Sequence, residues 1–175
     1  MIDKIKRHSQ LKPFIVSTCD ENNILVNIAD TIPPGNYLVL KVDKYYNSLK
    51  LGKTPPSIDC LIPLKCSDSD FVIYLIELKN IKSPKGFKPD NIYKKFKVTI
   101  EDFMIARFND IFLDNSYQIK DMRLYFVSNP YRQREISHRR EGTKMDALLS
   151  RRPFSFRGIL CQLKHILPNP IIENC

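Results

Sequence analysis

Two carboxylates and one ammonium group stand out in this sequence because of where they lie. Glu77 and Lys79 end an apolar run from Phe71 to Lys79, and Asp59 lies near the start of the preceding run, from Ile58 to Lys65. Residues two apart on a strand project from the same face, so Glu77 and Lys79 point the same way. Charged groups at the end of an apolar strand are costly unless they are paired, bind a metal or open into a cleft.

A hairpin is predicted to bring these residues together, because the polar stretch Ser67-Asp68-Ser69-Asp70 joins the two runs. Asp59 then lies across from Glu77. It shares a face with Glu77 only if the loop has an odd number of residues or the ladder contains a bulge, and a symmetric four-residue loop would place it on the other side. We favour the odd register, because the even one leaves a carboxylate alone in an apolar layer.

The chemistry expected of such a group is metal-assisted hydrolysis of a phosphodiester. Two carboxylates about 4 Å apart can bind a hard cation such as Mg²⁺, with Mn²⁺ as a substitute, and leave positions for water and phosphate oxygens. The candidate metal ligands are Asp59, Glu77 and the backbone carbonyl of Leu78. Lys79 is the candidate that orients the attacking water and offsets charge developing on the phosphorus.

Asp59, seventeen intervening residues and Glu77-Leu78-Lys79 on a buried strand resemble the PD-(D/E)xK nuclease superfamily. The resemblance extends from Ile58 to Val127. It implies a restriction-endonuclease-like mixed central sheet flanked by helices, with Asp59 and Glu77 on the metal and Lys79 beside the water. It also implies a Mg-dependent DNA endonuclease that leaves a 5′-phosphate and acts as a homodimer.

The chain departs from the family pattern in one respect, since Ser57 and Ile58 separate Pro55-Pro56 from Asp59. Many members of the family carry a further acid upstream, and the sequence leaves three candidates for it: Glu21, Asp30 and Asp43. The competing interpretation is a strand end at which Glu77 and Lys79 are solvated and Asp59 makes a hydrogen bond near the turn.

A net charge of +9, from 28 Lys and Arg against 19 Asp and Glu, suggests a polyanionic partner. Most arginines lie between Tyr131 and Arg157. The candidate nucleic-acid contacts are Lys82, Lys85, Lys88, Arg132, Arg134, Arg139, Arg140, Arg151 and Arg152. Two alternatives remain: a non-catalytic nucleic-acid-binding protein that keeps the nuclease fold, and an assembly protein whose basic tail docks an acidic partner.

The elements around the hairpin predict a single α/β domain. It divides into an N-terminal accessory part (1–55), the motif-bearing core (56–130), a basic arm (131–157) and a C-terminal packing segment (158–175). Apolar residues at intervals of three and four from Ile92 to Phe108 predict one long helix with Asp90 as its N-cap. A strand is expected from Met122 to Val127 and a short helix within Phe154 to Leu167.

Five cysteines lie far apart in the sequence and form no CxxC pair, which favours reduced thiols and a cytoplasmic, reducing compartment. The N-terminus has no apolar stretch of signal-peptide length, and no run is long enough to span a membrane, so a soluble protein is expected. DNA is the expected partner, and neither a membrane nor a small-molecule cofactor is expected.

Overall fold

A computed structural model describes residues 1–81, 87–129, 143–173 and 175, and it has a mixed α/β architecture around one central sheet. Six strands form this sheet in the order β1-β4-β5-β6-β7-β10. They are β1 (Ile15–Val16), β4 (Val39–Lys41), β5 (Cys60–Lys65), β6 (Asp70–Lys79), β7 (Gln118–Ser128) and β10 (Leu163–Ile166).

Strand β6 lies in the middle of the sheet, antiparallel to β5 and parallel to β7. Eight consecutive residues of β6 are buried, which agrees with the prediction of a strand covered on both faces. Its side chains alternate between two apolar clusters, so that Ile73 and Leu75 belong to one cluster and Val72, Tyr74 and Ile76 to the other.

The first of these clusters lies beneath the helices. They are α1 (Ile2–Arg7), α2 (Val42–Ser48), α3 (Pro89–Val98), a π-helical segment (Thr99–Arg107), α4 (Asn109–Phe112) and α5 (Lys144–Leu149), with short 3₁₀ turns at Lys12–Phe14 and Pro34–Asn36. The second cluster is covered by a small three-stranded sheet of order β11-β3-β2, formed by β2 (Cys19–Glu21), β3 (Ile24–Ile28) and β11 (Ile171–Ile172). The helices therefore lie on one face of the central sheet and a second sheet on the other, so the prediction of a sheet flanked by helices was wrong for the second face.

The predicted long helix is present, but it changes geometry along its length. Ile92, Phe96, Ile100, Met104 and Phe108 are all buried. An interval of four residues drifts by about 40° per step around an α-helix, which completes a turn in 3.6 residues. The wider turn of the π-helical segment keeps the stripe on the sheet. The N-cap prediction was wrong: Lys88 occupies that position, Pro89 follows it, and Asp90 lies within the first turn.

The C-terminal part contains strands where a short helix was expected. Strands β8 (Phe154–Phe156) and β9 (Ile159–Cys161) form a hairpin whose two-residue turn has positive φ at both Arg157 and Gly158. Strand β10 follows and adds to the edge of the central sheet. Phe154 and Phe156 are buried while Ser155 is exposed, so the pattern has the two-residue period of a strand.

The cysteine prediction was also wrong, because four of the five cysteines are paired. Disulfides join Cys19 to Cys60 and Cys66 to Cys175, and Cys161 keeps a buried thiol. Residues distant in sequence become neighbours when the two sheets pack, which spacing along the chain cannot reveal. Disulfides persist in oxidising compartments, so the pairing does not support the predicted reducing one. In the described part of the chain no helix is both long and apolar enough to cross a membrane.

Candidate active site

The register of the β5–β6 hairpin places Asp59 directly across from Glu77. Cys60 pairs with Ile76, and the residues that precede and follow this pair are Asp59 and Glu77. At the other end the Cys66 N–H donates to the Asp70 carbonyl at 2.8 Å, which leaves a loop of three residues, 67–69. The odd register that we favoured is therefore confirmed, and both carboxylates lie on the helix-covered face of the sheet.

Asp59 takes over a backbone hydrogen bond where the hairpin ladder ends. The Ile58 N–H donates to Thr99 Oγ1 at 3.3 Å and so leaves the ladder, while the Leu78 N–H donates to Asp59 Oδ2 at 2.6 Å. The N–H and C=O of one strand residue point toward the same neighbouring strand. The Leu78 carbonyl, which was predicted to be a further metal ligand, therefore also lies on the β5 side of the strand.

Glu77 is almost fully buried, with 2% of its surface exposed, and one of its two oxygens has a hydrogen-bond partner among the described residues. Lys95 Nζ on helix α3 donates to Glu77 Oε1 at 2.6 Å. Glu77 Oε2 has no hydrogen-bond partner among the described residues. A buried carboxylate oxygen without a donor is costly, and a bound cation is one way to satisfy it.

Lys95 is the residue that the sequence analysis missed. Ile92 and Phe96 on the same helix are buried against the sheet, and they turn Lys95 toward the strand ends. Lys95 lies three residues after Ile92 and four before Thr99, so it falls within the buried stripe. A lysine inside an apolar helical stripe is a readable signal, because such a side chain needs an acidic partner inside the fold.

The electrostatics of the site are those of two carboxylates held close together under low exposure. Burial raises the pKa of Glu77 to about 7, although the Lys95 ammonium favours the ionised form. Burial also raises the pKa of Asp59, and the negative charge of Glu77 raises it further. Burial alone would lower the pKa of Lys95, but the charges of Glu77 and Asp59 raise it. A positive charge that binds beside the two carboxylates would therefore stabilise their ionised forms.

An open cleft of about 400 Å³ reaches Glu77 from solvent. One wall is the end of β6, from Glu77 to Asn80, and Lys79 and Lys95 both line the cleft. The other wall is the tip of the β2–β3 hairpin, Glu21-Asn22-Asn23. Asn22 and Asn23 both have positive φ, so the tip is a tight two-residue turn.

Of the three upstream acids left open by the sequence, Glu21 lines the cleft and Asp30 does not. Asp43 lies in the first turn of α2, and its Oδ1 is buried without a hydrogen-bond partner among the described residues. Burial raises the pKa of Asp43. Within residues 1–81, 87–129, 143–173 and 175, no three metal-ligating side chains come close enough to hold an ion together. The described site therefore supplies two adjacent carboxylates rather than three.

The predicted nucleic-acid contacts divide into those that the structure describes and those that it does not. Lys88 lines a second cleft, of about 430 Å³, at the start of α3, and Arg152 is exposed nearby. Arg151 forms an ion pair with Asp90 and lies over the ring of Tyr93, so its guanidinium already has partners. The remaining predicted contacts lie outside the described residues: Lys82, Lys85, Arg132, Arg134, Arg139 and Arg140.

Comparisons of this chain with protein-family models, with curated proteins and with solved structures found no match.

Proposed function

We propose that the chain is a Mg-dependent endonuclease of the PD-(D/E)xK type, with a restriction-endonuclease-like fold, that hydrolyses phosphodiester bonds in DNA. The observation that carries the proposal is the position of Asp59 opposite Glu77 at the end of a hairpin, with one buried Glu77 oxygen that has no donor in the part of the chain that the structure describes. Burying two carboxylates side by side is unfavourable, so their retention at the base of an open cleft suggests a ligand that needs both.

The donor set fits a hard divalent cation. Asp59, Glu77 and the Leu78 carbonyl would supply oxygen ligands only, and Mg²⁺ keeps several waters when it binds one or two carboxylates. When bound, it would polarise the phosphodiester and lower the pKa of a water molecule. Mn²⁺ can replace Mg²⁺ at such a set, because both prefer oxygen ligands.

The two lysines would have separate tasks. Lys95 touches Glu77 Oε1 and holds that carboxylate in place, so it is a positioning residue. Lys79 lines the cleft, where its ammonium would hydrogen-bond an attacking water and offset negative charge on the phosphoryl oxygens.

Contact with DNA is supported by charge and by the arrangement of the described cations. Lys88 and Arg152 lie on the surface beside helix α3, the helix that delivers Lys95 to the cleft. Basic side chains there would hold backbone phosphates on either side of a scissile bond. A homodimer would let a small enzyme of this kind cut both strands.

A second candidate function is a non-catalytic nucleic-acid-binding protein with the same fold. It is favoured by the Lys95–Glu77 ion pair, in which the Lys95 ammonium can neutralise the buried carboxylate without a metal ion. In that case the Asp59 carboxylate would serve mainly as the acceptor for the Leu78 N–H.

Cleavage and binding should be measured together on plasmid DNA and on branched DNA, with Mg²⁺, with Mn²⁺ and with EDTA. We expect cleavage that needs the metal, and we expect Lys79→Ala to remove it while DNA affinity stays within about twofold, since exposed cationic contacts act roughly independently. Lys12→Ala serves as the control, because Lys12 is exposed at the opposite edge of the sheet. A wild-type protein that binds DNA but never cuts it would favour the second candidate.

A further inference from the structure

The Cys19–Cys60 disulfide joins the two parts of the chain that form the cleft. Cys60 directly follows Asp59 at the start of β5, and Cys19 lies on β2, two residues before Glu21. Both sulfurs are buried, since Cys19 is 1% exposed and Cys60 is fully buried. A single covalent bond therefore links the strand that carries a metal-ligand candidate to the hairpin whose tip forms the opposite wall.

Within residues 1–81, 87–129, 143–173 and 175, two further hydrogen bonds join the hairpin tip to the rest of the fold. The Lys41 ammonium donates to the Asp20 carbonyl at 2.8 Å, and the Asn80 amide donates to the Asn22 carbonyl at the long distance of 3.5 Å. In the described structure strand β2 pairs with β3 alone and forms the edge of the small sheet. Strand β3 is held separately by β11 on its other side. Without the disulfide, β2 and the tip would be the part of this sheet that opens most easily.

We propose that the Cys19–Cys60 disulfide is a redox-controlled clamp that sets the position of Glu21 over the cation cleft. The inference rests on the proposed function, because the cleft is taken to bind a divalent cation. Glu21 lines the cleft but is not among the candidate ligands. Held there, its carboxylate adds negative potential at the entrance and can bind waters around the ion, the role of outer-shell groups at metal sites.

The chemical step is thiol–disulfide exchange with a dithiol. One thiolate of the dithiol attacks a sulfur of the pair, the S–S bond breaks, and a mixed disulfide forms. The second thiol of the reagent then displaces the remaining protein sulfur, giving two protein thiols and an oxidised, cyclic reagent. Because both protein sulfurs are buried, exchange requires β2 to open first, and reoxidation requires it to return.

The chain offers a matched control in its second disulfide. Cys66 lies at the turn end of the β5–β6 hairpin, at the opposite end of β5 from Asp59, and it is joined to Cys175. Replacing Cys66 and Cys175 by alanine removes one disulfide without touching the cleft. Replacing Cys19 and Cys60 by alanine removes the other. Glu21→Gln, alone and together with the latter pair, separates the carboxylate from the clamp.

The experiment measures Mn²⁺ affinity by calorimetry and amide exchange over residues 19–24 by mass spectrometry. We expect Cys19→Ala/Cys60→Ala to weaken Mn²⁺ binding by about tenfold, as loss of an outer-shell group does. Exchange over the tip should be faster, and the Cys66→Ala/Cys175→Ala variant should show neither effect. Glu21→Gln should weaken Mn²⁺ binding to a similar extent. Combined with Cys19→Ala/Cys60→Ala, it should weaken binding little further. The Cys66→Ala/Cys175→Ala variant keeps the Cys19–Cys60 disulfide, and after reduction with a dithiol it should behave as the Cys19→Ala/Cys60→Ala variant does.

Two results would contradict the clamp proposal. One is an unchanged Mn²⁺ affinity in the Cys19→Ala/Cys60→Ala variant, and the other is an equal loss of Mn²⁺ affinity in both disulfide variants. If the Cys19→Ala/Cys60→Ala variant fails to fold, the Cys66→Ala/Cys175→Ala variant measured before and after reduction decides the matter, because the Cys19–Cys60 disulfide is the one that it can still lose. If the oxidised wild type binds no Mn²⁺ at all, the proposed function fails. The role of the clamp in holding β2 is then judged from amide exchange over residues 19–24. Slow exchange after reduction would refute that role.

Discussion

Lys95 and Glu77 meet across the interface between helix α3 and the central sheet, with Nζ 2.6 Å from Oε1. Lys95 keeps 22% of its side chain exposed, whereas Glu77 keeps 2%. The pair is therefore asymmetric: the ammonium is partly exposed to solvent, whereas the carboxylate is almost entirely covered at the base of the cleft. Removing the Lys95 ammonium alone should lower the free energy of unfolding more than removing both charges, because it leaves the buried Glu77 carboxylate without its ion-pair partner.

The first prediction follows from that asymmetry. Lys95→Met should lower the free energy of unfolding at pH 8 by about 3 kcal/mol, the usual cost of leaving one member of a buried pair. Lys95→Met combined with Glu77→Leu should recover most of the loss. Urea unfolding of the two variants beside the wild type measures both effects. Equal destabilisation of the single and double variants would contradict the argument.

The second prediction concerns the pH dependence of the metal-free protein. The pKa of Glu77 is about 7 in the folded chain and near 4.5 when unfolded, so between these values the folded state holds more protons. The contribution of Glu77 to stability therefore falls as the pH rises from about 4.5 to about 7 and stays low above it. Thermal unfolding from pH 4 to 9 should show this decline, and Glu77→Gln should show a flatter profile.

Cation binding should have the opposite dependence, which is the third prediction. A carboxylate must lose its proton to bind a metal, so Mn²⁺ affinity should rise with pH until about 7 and then level off. An exposed pair of carboxylates would level off near pH 5 instead. Calorimetric titration at five pH values distinguishes the two.

The fourth prediction separates stability from function at Asp59. Asp59→Asn keeps an oxygen that can accept the hydrogen bond from the Leu78 N–H, but it removes a charge that burial and Glu77 disfavour. We expect the variant to be more stable than the wild type at pH 8 by about 1 kcal/mol and to lose Mn²⁺ binding. A less stable Asp59→Asn variant would show that the charge itself supports the fold.

The fifth prediction tests the nucleic-acid surface through its response to salt. Arg152→Ala should weaken DNA binding at every sequence and lower the slope of log affinity against log salt by about one, as loss of one phosphate contact does. Lys12→Ala, at the far edge of the sheet, should leave the slope unchanged. A wild-type affinity that barely responds to salt would favour an acidic protein partner instead.

Much of the core could be predicted from the sequence because its signals are local. The continuous apolar runs of β5 and β6 are typical of strands that are buried on both faces, and apolar residues at intervals of three and four from Ile92 to Phe108 are typical of a helix. Asp59 could be matched to Glu77 for the same reason: a short loop between two strands restricts the register to two choices. Only one of these registers places both carboxylates on the same face of the sheet.

The features that could not be predicted depend on contacts between distant segments. Lys95 finds Glu77 only after helix α3 packs on the sheet, and Cys19 finds Cys60 only after the small sheet packs on the other face. The error at Phe154 to Leu167 is different, because its signal was local. Arg157-Gly158 is a turn that interrupts the apolar pattern, and Phe154-Ser155-Phe156 already alternates.

The π-helical turns between Thr99 and Arg107 have a consequence for how this chain tolerates changes in length. A wide turn contains more residues than an α-helix needs to cover the same distance, so a single-codon deletion there could be absorbed by tightening into α-helical geometry. The same deletion between Lys95 and Thr99 would turn the lysine by about 100° relative to the residues that follow. The Lys95 ammonium would then no longer contact Glu77. Two deletions of equal length are therefore expected to differ in their effect on the site.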